Sequence, residues 1–161
     1  RPDFIVGIWR GGSTVGIYVQ ECLQTLGVKT DHIAIRTSYR GMEDYFESLN
    51  DQREIRVHGI QYLLENMNQS DSLLIVDDVF STGRNIDAVI QRLEAKAKRN
   101  MPHDTRIAMP YYKPGSNQTS REPDYFLHKT DEWLVLPYEL TGLSREEIAK
   151  NKAWVEPFLR A

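Results

Sequence analysis

Cysteine is all but absent. Cys22 is the only one in 161 residues, so no disulfide can close within the chain, and a reducing, cytoplasmic setting is expected. Helical spacing of the apolar residues around it assigns Cys22 to the core rather than to a nucleophile's role. No apolar run approaches the roughly 20 residues that cross a bilayer, and no signal-peptide pattern opens the chain, so no membrane partner is expected. Strong charge is lacking too. A net charge of −3 offers no basic footprint for nucleic acid, and attraction to an anionic ligand must come from local features. There is no internal repeat and no low-complexity tract. No initiator Met precedes RPDFIVGIW, so an N-terminal segment ahead of this sequence is expected.

What is present is ordinary for a globular protein: 40% apolar and 27% charged residues. That length and composition predict one domain over residues 1–161 with a substantial core. Phe4 to Trp9 reads as a buried strand running into Arg10-Gly11-Gly12-Ser13, a turn of small residues. Val15, Tyr18, Val19, Cys22, Leu23 and Leu26 then follow helical spacing, with Gly27 as the stop. A second strand is predicted at His32–Ile35, a returning strand at Glu54–His58, and a helix near Ile60–Asn66. The clearest strand is Ser72–Asp77, followed by a helix on Ile86, Val89, Ile90, Leu93 and Ala97. Further strands are predicted at Arg106–Tyr112, Tyr125–His128 and Trp133–Leu136. Ser144 to Glu147 has capping-box spacing and opens a last short helix. Residues 37–53 show neither period and predict a mobile functional loop or a disordered one. Strands alternating with helices predict an α/β fold with a mainly parallel sheet, whose ligands gather at the carboxyl ends of the strands.

Two such strand ends carry chemistry. In LLIVDDVFSTGRN, residues 73–85, two carboxylates, Asp77 and Asp78, precede a hydroxyl-rich turn at a helix start. The turn exposes backbone N–H groups to the positive end of the helix dipole, and Ser81, Thr82 and Asn85 add donors for a phosphate. Alone the turn is an ordinary helix cap. Carboxylates repel phosphate, so the two features belong together if one ligand carries hydroxyls and phosphate side by side, as ribose 5-phosphate does. Asp77 and Asp78 could bind a divalent metal or accept hydrogen bonds from vicinal hydroxyls, and paired carboxylates at the end of a buried strand are costly without such partners.

VDDVFSTGRN (76–85) resembles the phosphoribosyl-pyrophosphate signature of the type I phosphoribosyltransferases. IWRGG (8–12) resembles the family's first loop, which binds pyrophosphate through backbone groups, often beside a non-proline cis peptide. Ser38-Tyr39 resembles the Ser-Tyr pair of its flexible catalytic loop. YYKPGSN and PDYFLHKTDEWLVLPYEL resemble the base-binding region of bacterial and archaeal purine salvage enzymes, closest to the hypoxanthine and xanthine-guanine enzymes. The resemblance implies the type I phosphoribosyltransferase fold, with a mobile loop at about 37–53 and a small base-binding hood at about 111–140. It implies transfer of 5-phosphoribosyl from phosphoribosyl pyrophosphate to a 6-oxopurine, with magnesium (Mg2+) as cofactor, and a homo-oligomer, a dimer or tetramer. Arg10, Gly11 and Gly12 would face pyrophosphate. Asp77 and Asp78 would meet the ribose hydroxyls, with magnesium mostly indirect through hydroxyls or water. Ser81, Thr82, Gly83, Arg84 and Asn85 would hold the 5-phosphate. Lys113 would donate to the purine 6-oxo group, Trp133 would stack on the base, and backbone near Leu134 would read its edge.

The chemistry of the side chains agrees. A lysine can only donate, so it selects an oxo group over an amino group, and an aromatic face suits a flat base. The loop at 37–53 suits exclusion of water from an oxocarbenium-like centre, and Arg36, Arg40, Arg53 and Arg56 flank or occupy it. Asn85 replaces the family's usual threonine, Arg84 adds a cation beside the phosphate turn, and a third departure bears on the chemistry. Many 6-oxopurine enzymes carry an aspartate where Ser81 stands, and a serine hydroxyl is far too weak a base to take the purine proton unaided. Glu43 or Asp44 of the loop is one substitute, an acidic substrate such as xanthine a second, and loss of catalysis with retained ligand binding a third. The rival readings are therefore a nucleotide- or phosphoribosyl-pyrophosphate-sensing regulator and a transferase for another base.

Overall fold

The computed structural model describes residues 1–39 and 55–159, in two compact units, Arg1–Asp131 and Glu132–Ala161. In the first unit, β1 (Phe4–Trp9) lies between β2 (Asp31–Tyr39) and β4 (Ser72–Val76), parallel to both. β3 (Ile55–His58) adds antiparallel to β2, and β6 (Asp104–Tyr112) adds parallel to β4. β5 (Val79–Phe80) also pairs with β6, and its register continues that of β4: Val76 faces Ala108 and Val79 faces Tyr111. β4 and β5 are thus one extended line. β7 (Tyr125–Lys129) takes the other edge of β6. The sheet is mainly parallel, as expected.

Its two faces are covered by different means. On one, Val6, Ile8 and Ile35 pack with Ile60, with Leu63 of α2 (Gln61–Asn66) and with Ile86, Val89, Ile90 and Leu93 of α3 (Arg84–Ala97). Each such fully buried side chain contributes about 1.5–3 kcal/mol. On the other lies α1 (Gly11–Thr25), whose buried residues are Gly11, Gly12 and Gly16. The apolar stripe expected on α1 is corrected in part: Val15, Val19 and Leu23 are half-buried, and the other three are not. Tyr18 is 71% and Leu26 77% exposed, and Cys22 is exposed rather than in the core. The reason is close approach: a helix seated through glycines turns its small face to the sheet and leaves larger residues outside. The His32 ring lies directly against Gly16 and Gly7, and burial lowers its affinity for a proton.

Two other expectations change. Thr37, Ser38 and Tyr39 continue β2, because β3 pairs with them, rather than starting a loop; the remainder of 37–53, with Arg40, Glu43, Asp44 and Arg53, lies outside the described residues. In the second unit Trp133–Leu136 is irregular and not a strand. Its neighbouring carbonyls go to a side chain, Lys152, instead of to another strand. The capping box is as expected: Ser144 Oγ accepts from Glu147 N and Glu147 Oε2 accepts from Ser144 N at the start of α4 (Arg145–Asn151). Among the described residues no helix is long and apolar enough to cross a membrane.

Candidate functional site

The acid pair sits where the β4–β5 line is interrupted. Extended pairing persists across the gap, since Asp77 N donates to Ala108 O at 3.4 Å and Tyr111 N donates to Asp78 O at 3.3 Å. Each carboxylate turns back on the chain: Asp77 Oδ1 accepts from Asp78 N at 3.0 Å and Asp78 Oδ1 from Val79 N at 2.7 Å. Burial, then the neighbouring Asp78 carboxyl, raise the Asp77 pKa well above the usual carboxylate range. The Gly12 amide donates to the Asp77 carboxyl and acts in the opposite sense.

Gly12 explains why the two strand-end motifs meet. A methyl group added there would lie 2.5 Å from Val76 O and 2.9 Å from Asp77 Cα. Only a residue without Cβ lets the first turn of α1 reach the acid pair. The Gly-Gly stretch is therefore the start of α1 rather than a free turn. Just before it, the Trp9–Arg10 peptide is cis, the feature the family resemblance implies beside this loop. Arg10 is exposed.

Ser81, Thr82 and Gly83 form the turn from β5 into α3, whose first residues are Arg84 and Asn85. Gly83, at the N-cap, has φ +74°, a left-handed conformation that favours glycine. Arg84 N reaches Thr82 Oγ1 at 3.4 Å. The loop after β6 covers this turn. Lys113 N donates to Phe80 O at 2.8 Å and Gln118 N to Thr82 O at 3.0 Å. Asn117 organises the loop: its Oδ1 accepts from Thr119 N at 2.9 Å and its Nδ2 donates to Arg121 O at 2.8 Å. Arg121 Nε then pairs with Asp87 Oδ1 of α3 at 2.8 Å. Sequence reading missed Asn117, Thr119, Arg121 and Asp87. The Asn-x-Thr spacing signals a side-chain-supported turn, but nothing local says which helix the turn is tied to.

A polar strip on the β2–β3 pair adds to these elements. Arg36 pairs with His58 and Ser38 with Arg56, placing all four on one face of the sheet. Ser38 Oγ and His58 Nε2 are 3.0 Å apart. Arg36, Arg56 and His58 are exposed. His58 also escaped the sequence reading, which saw only a strand residue. Tyr39 ends β2. Trp133 and Leu134 belong to the second unit, where the Trp133 indole N–H donates to the Glu147 carboxylate and the ring is 56% exposed. The structure thus gathers the acid pair, the glycine start of α1, the Ser81–Asn85 turn and Lys113 at the carboxyl ends of adjacent strands.

No cluster of three or more His, Cys, Asp or Glu occurs among the described residues. Two carboxylates are nonetheless a donor set suited to a hard divalent cation that completes its shell with phosphate oxygens and water.

A phosphoribosyl transferase domain family model matches residues 1–141. No match is found among curated protein sequences. Among solved structures, the chain is similar to a purine phosphoribosyltransferase of Pyrococcus horikoshii, with 26% identity, a TM-score of 0.59, and coverage of 89% of this chain and 81% of that one. It is also similar in fold to a hypoxanthine phosphoribosyltransferase of Staphylococcus aureus, with 17% identity, a TM-score of 0.57, and coverage of 81% and 62%. A Trypanosoma cruzi hypoxanthine phosphoribosyl transferase gives 13% identity, a TM-score of 0.61, and coverage of 82% and 62%. The chain therefore spans less than two thirds of the last two.

Proposed function

The chain belongs to the phosphoribosyltransferase family, and on that premise we propose that it transfers 5-phosphoribosyl from phosphoribosyl pyrophosphate to a 6-oxopurine: hypoxanthine, guanine or xanthine. The C1–O bond to pyrophosphate breaks, a bond from C1 to a ring nitrogen of the base forms, and the base gives up a proton. One observation carries the reading. The register of β4–β5 against β6 sets the acid pair, the Ser81–Asn85 turn and the Lys113 backbone side by side, with Lys113 N on Phe80 O at 2.8 Å. A hydroxyl acceptor, a phosphate cradle and a donor-only cation suit a phosphoribosyl group next to an oxo-bearing base.

In this reading Asp77 and Asp78 accept from the ribose hydroxyls. Ser81, Thr82, Gly83, Arg84 and Asn85 hold the 5-phosphate at the start of α3, and Arg10, Gly11 and Gly12 face pyrophosphate. Lys113 donates to the 6-oxo group, Trp133 covers the base, and backbone near Leu134 reads its edge. Ser38 and Tyr39, at the start of the segment that runs to β3, serve the catalytic loop. Asp77 and Asp78, mostly through hydroxyls or water, would hold Mg2+, which would supply charge neutralisation on the pyrophosphate side.

The test offers hypoxanthine, guanine, xanthine and adenine in turn, with phosphoribosyl pyrophosphate and magnesium. Turnover of a 6-oxopurine and not of adenine is expected, and no turnover of any base would sink the reading. Ser81 favours a second reading, a sensor that binds phosphoribosyl pyrophosphate without transfer, because its hydroxyl is too weak a base. Turnover by the wild-type chain separates the two, and Ser81→Asp tests the proton step. If proton removal limits the reaction, hypoxanthine turnover rises by about 10²-fold or more; an unchanged rate means the proton is taken elsewhere.

A further inference from the structure

Lys152 is the only buried charged residue among the described residues, at 4% exposure. Buried lysines are rare and need partners for all three protons. Here the partners are backbone carbonyls: Nζ donates to Leu136 O at 2.5 Å, to Pro137 O at 3.1 Å and to Glu139 O. The same strip is tied a second time, because Leu136 N donates to Glu139 Oε2 at 3.1 Å. Its other end is held from α4, where Glu147, the third residue of the helix, accepts from the Trp133 indole. Lys152 is the C-cap of that helix, and its own N–H donates to Ile148 O at 2.7 Å. Ile148 and Val155, both buried, flank it at helical spacing. A lysine within an apolar stripe stays there because three carbonyls replace its water.

We propose that Lys152 is the positioning residue of the base-reading segment: from the end of α4 its ammonium gathers the carbonyls of Leu136, Pro137 and Glu139 and so fixes the backbone that follows Trp133 and Leu134. This rests on the reading of Trp133 and Leu134 as base contacts. It extends that reading, since Lys152 touches no substrate. An edge-reading backbone without regular strand pairing must be held by something else, and a three-donor cation holding successive carbonyls supplies the constraint. Small errors of placement matter at such a site, where a shift of about 1 Å can cost around 10²-fold.

The test compares wild type with Lys152→Gln, which keeps two donors, and Lys152→Met, which keeps the stem and no donor. Two readouts are taken on the whole chain: amide hydrogen exchange over residues 132–140, and KM for the base against KM for phosphoribosyl pyrophosphate. Exchange in that segment is expected to quicken in the order wild type, Gln, Met, by about tenfold or more at the end of the series. KM for the base should rise in the same order by roughly tenfold. KM for phosphoribosyl pyrophosphate, whose contacts are assigned to the first unit, should stay within about twofold. Ethylammonium added to a Lys152→Ala variant should restore part of the base affinity. Should Met unfold the second unit, the Gln variant carries the same comparison. Unchanged exchange overturns the proposal, and so does faster exchange with an unchanged KM for the base. If wild type turns over no base, the functional reading fails, while the exchange series still decides whether Lys152 holds the segment.

Discussion

Gly12→Ala is the sharpest test of how the site is assembled. The added methyl would stand 2.5 Å from Val76 O, about 0.9 Å short of the 3.4 Å at which ordinary contact begins, and 2.9 Å from Asp77 Cα. Both atoms are backbone in or beside a central strand whose neighbours are fixed by pairing to β1 and β6. The strand cannot give, so the start of α1 must lift. Overpacking of this kind costs about 1–3 kcal/mol. At about 2–4 °C per kcal/mol for a chain of this size, the melting temperature should fall by roughly 2–12 °C. Lifting α1 also removes the Gly12 amide from the Asp77 carboxyl, so kcat/KM for transfer should fall by about 10²-fold. The assay pairs thermal melting with steady-state kinetics. A second variant sharpens it. Because the two nearest atoms are backbone, trimming the Asp77 side chain, whose Oδ1 would lie 3.0 Å from the methyl, should relieve only the lesser part of the clash, and Gly12→Ala should still cost most of that stability with Asp77→Ala present. A Gly12→Ala protein that melts within about 1 °C of wild type and keeps its activity would refute the close-approach account.

Other outcomes follow from the same geometry. The folded chain keeps a proton on Asp77 that the unfolded chain releases near 3.8, so ligand-free stability should fall as pH rises from that value toward the raised folded one. Asp77→Asn should flatten this slope and raise the melting temperature at neutral pH while slowing transfer by about tenfold or more; a lower melting temperature for the variant would count against a raised Asp77. Arg121→Ala should cost about 1 kcal/mol, since the pair with Asp87 is partly exposed, and should raise KM for phosphoribosyl pyrophosphate more than KM for the base. In a double-mutant cycle with Asp87→Asn the two changes should be non-additive by about 0.5–1 kcal/mol, and strict additivity would dissolve the clamp. Lys113→Ala should weaken 6-oxopurine binding by roughly tenfold in an equilibrium titration, and equal affinity would remove Lys113 from the base contact.

Much of the fold was legible because its signals are local. The apolar runs at Phe4–Trp9 and Ser72–Val76 are buried strands, the 3.6-residue spacing from Ile86 to Leu93 is the inner face of α3, and Ser144 to Glu147 caps α4 as its spacing requires. Half of the α1 stripe, Tyr18, Cys22 and Leu26, is exposed for a physical reason. Periodicity ranks positions by hydrophobicity, whereas packing on α1 is decided by the absence of side chains at Gly12 and Gly16. Trp133–Leu136 failed because β-like composition says nothing about where the carbonyls find donors, and here they find Lys152. In the candidate site the acid pair, the hydroxyl turn and the glycine stretch could be read directly, each being a contiguous string with its own chemistry.

The sequence by itself determined the α/β alternation, the order of the motifs, the family they resemble and the residue types available to a ligand, because each depends on neighbours along the chain. Only the tertiary structure decided that Gly12 donates to Asp77, that the loop after Lys113 closes over the Ser81–Gly83 turn through Gln118 and Arg121, and that Lys152 is buried among three carbonyls. Those contacts join residues 13 to 65 positions apart, and burial and hydrogen-bond satisfaction, rather than local propensity, select them.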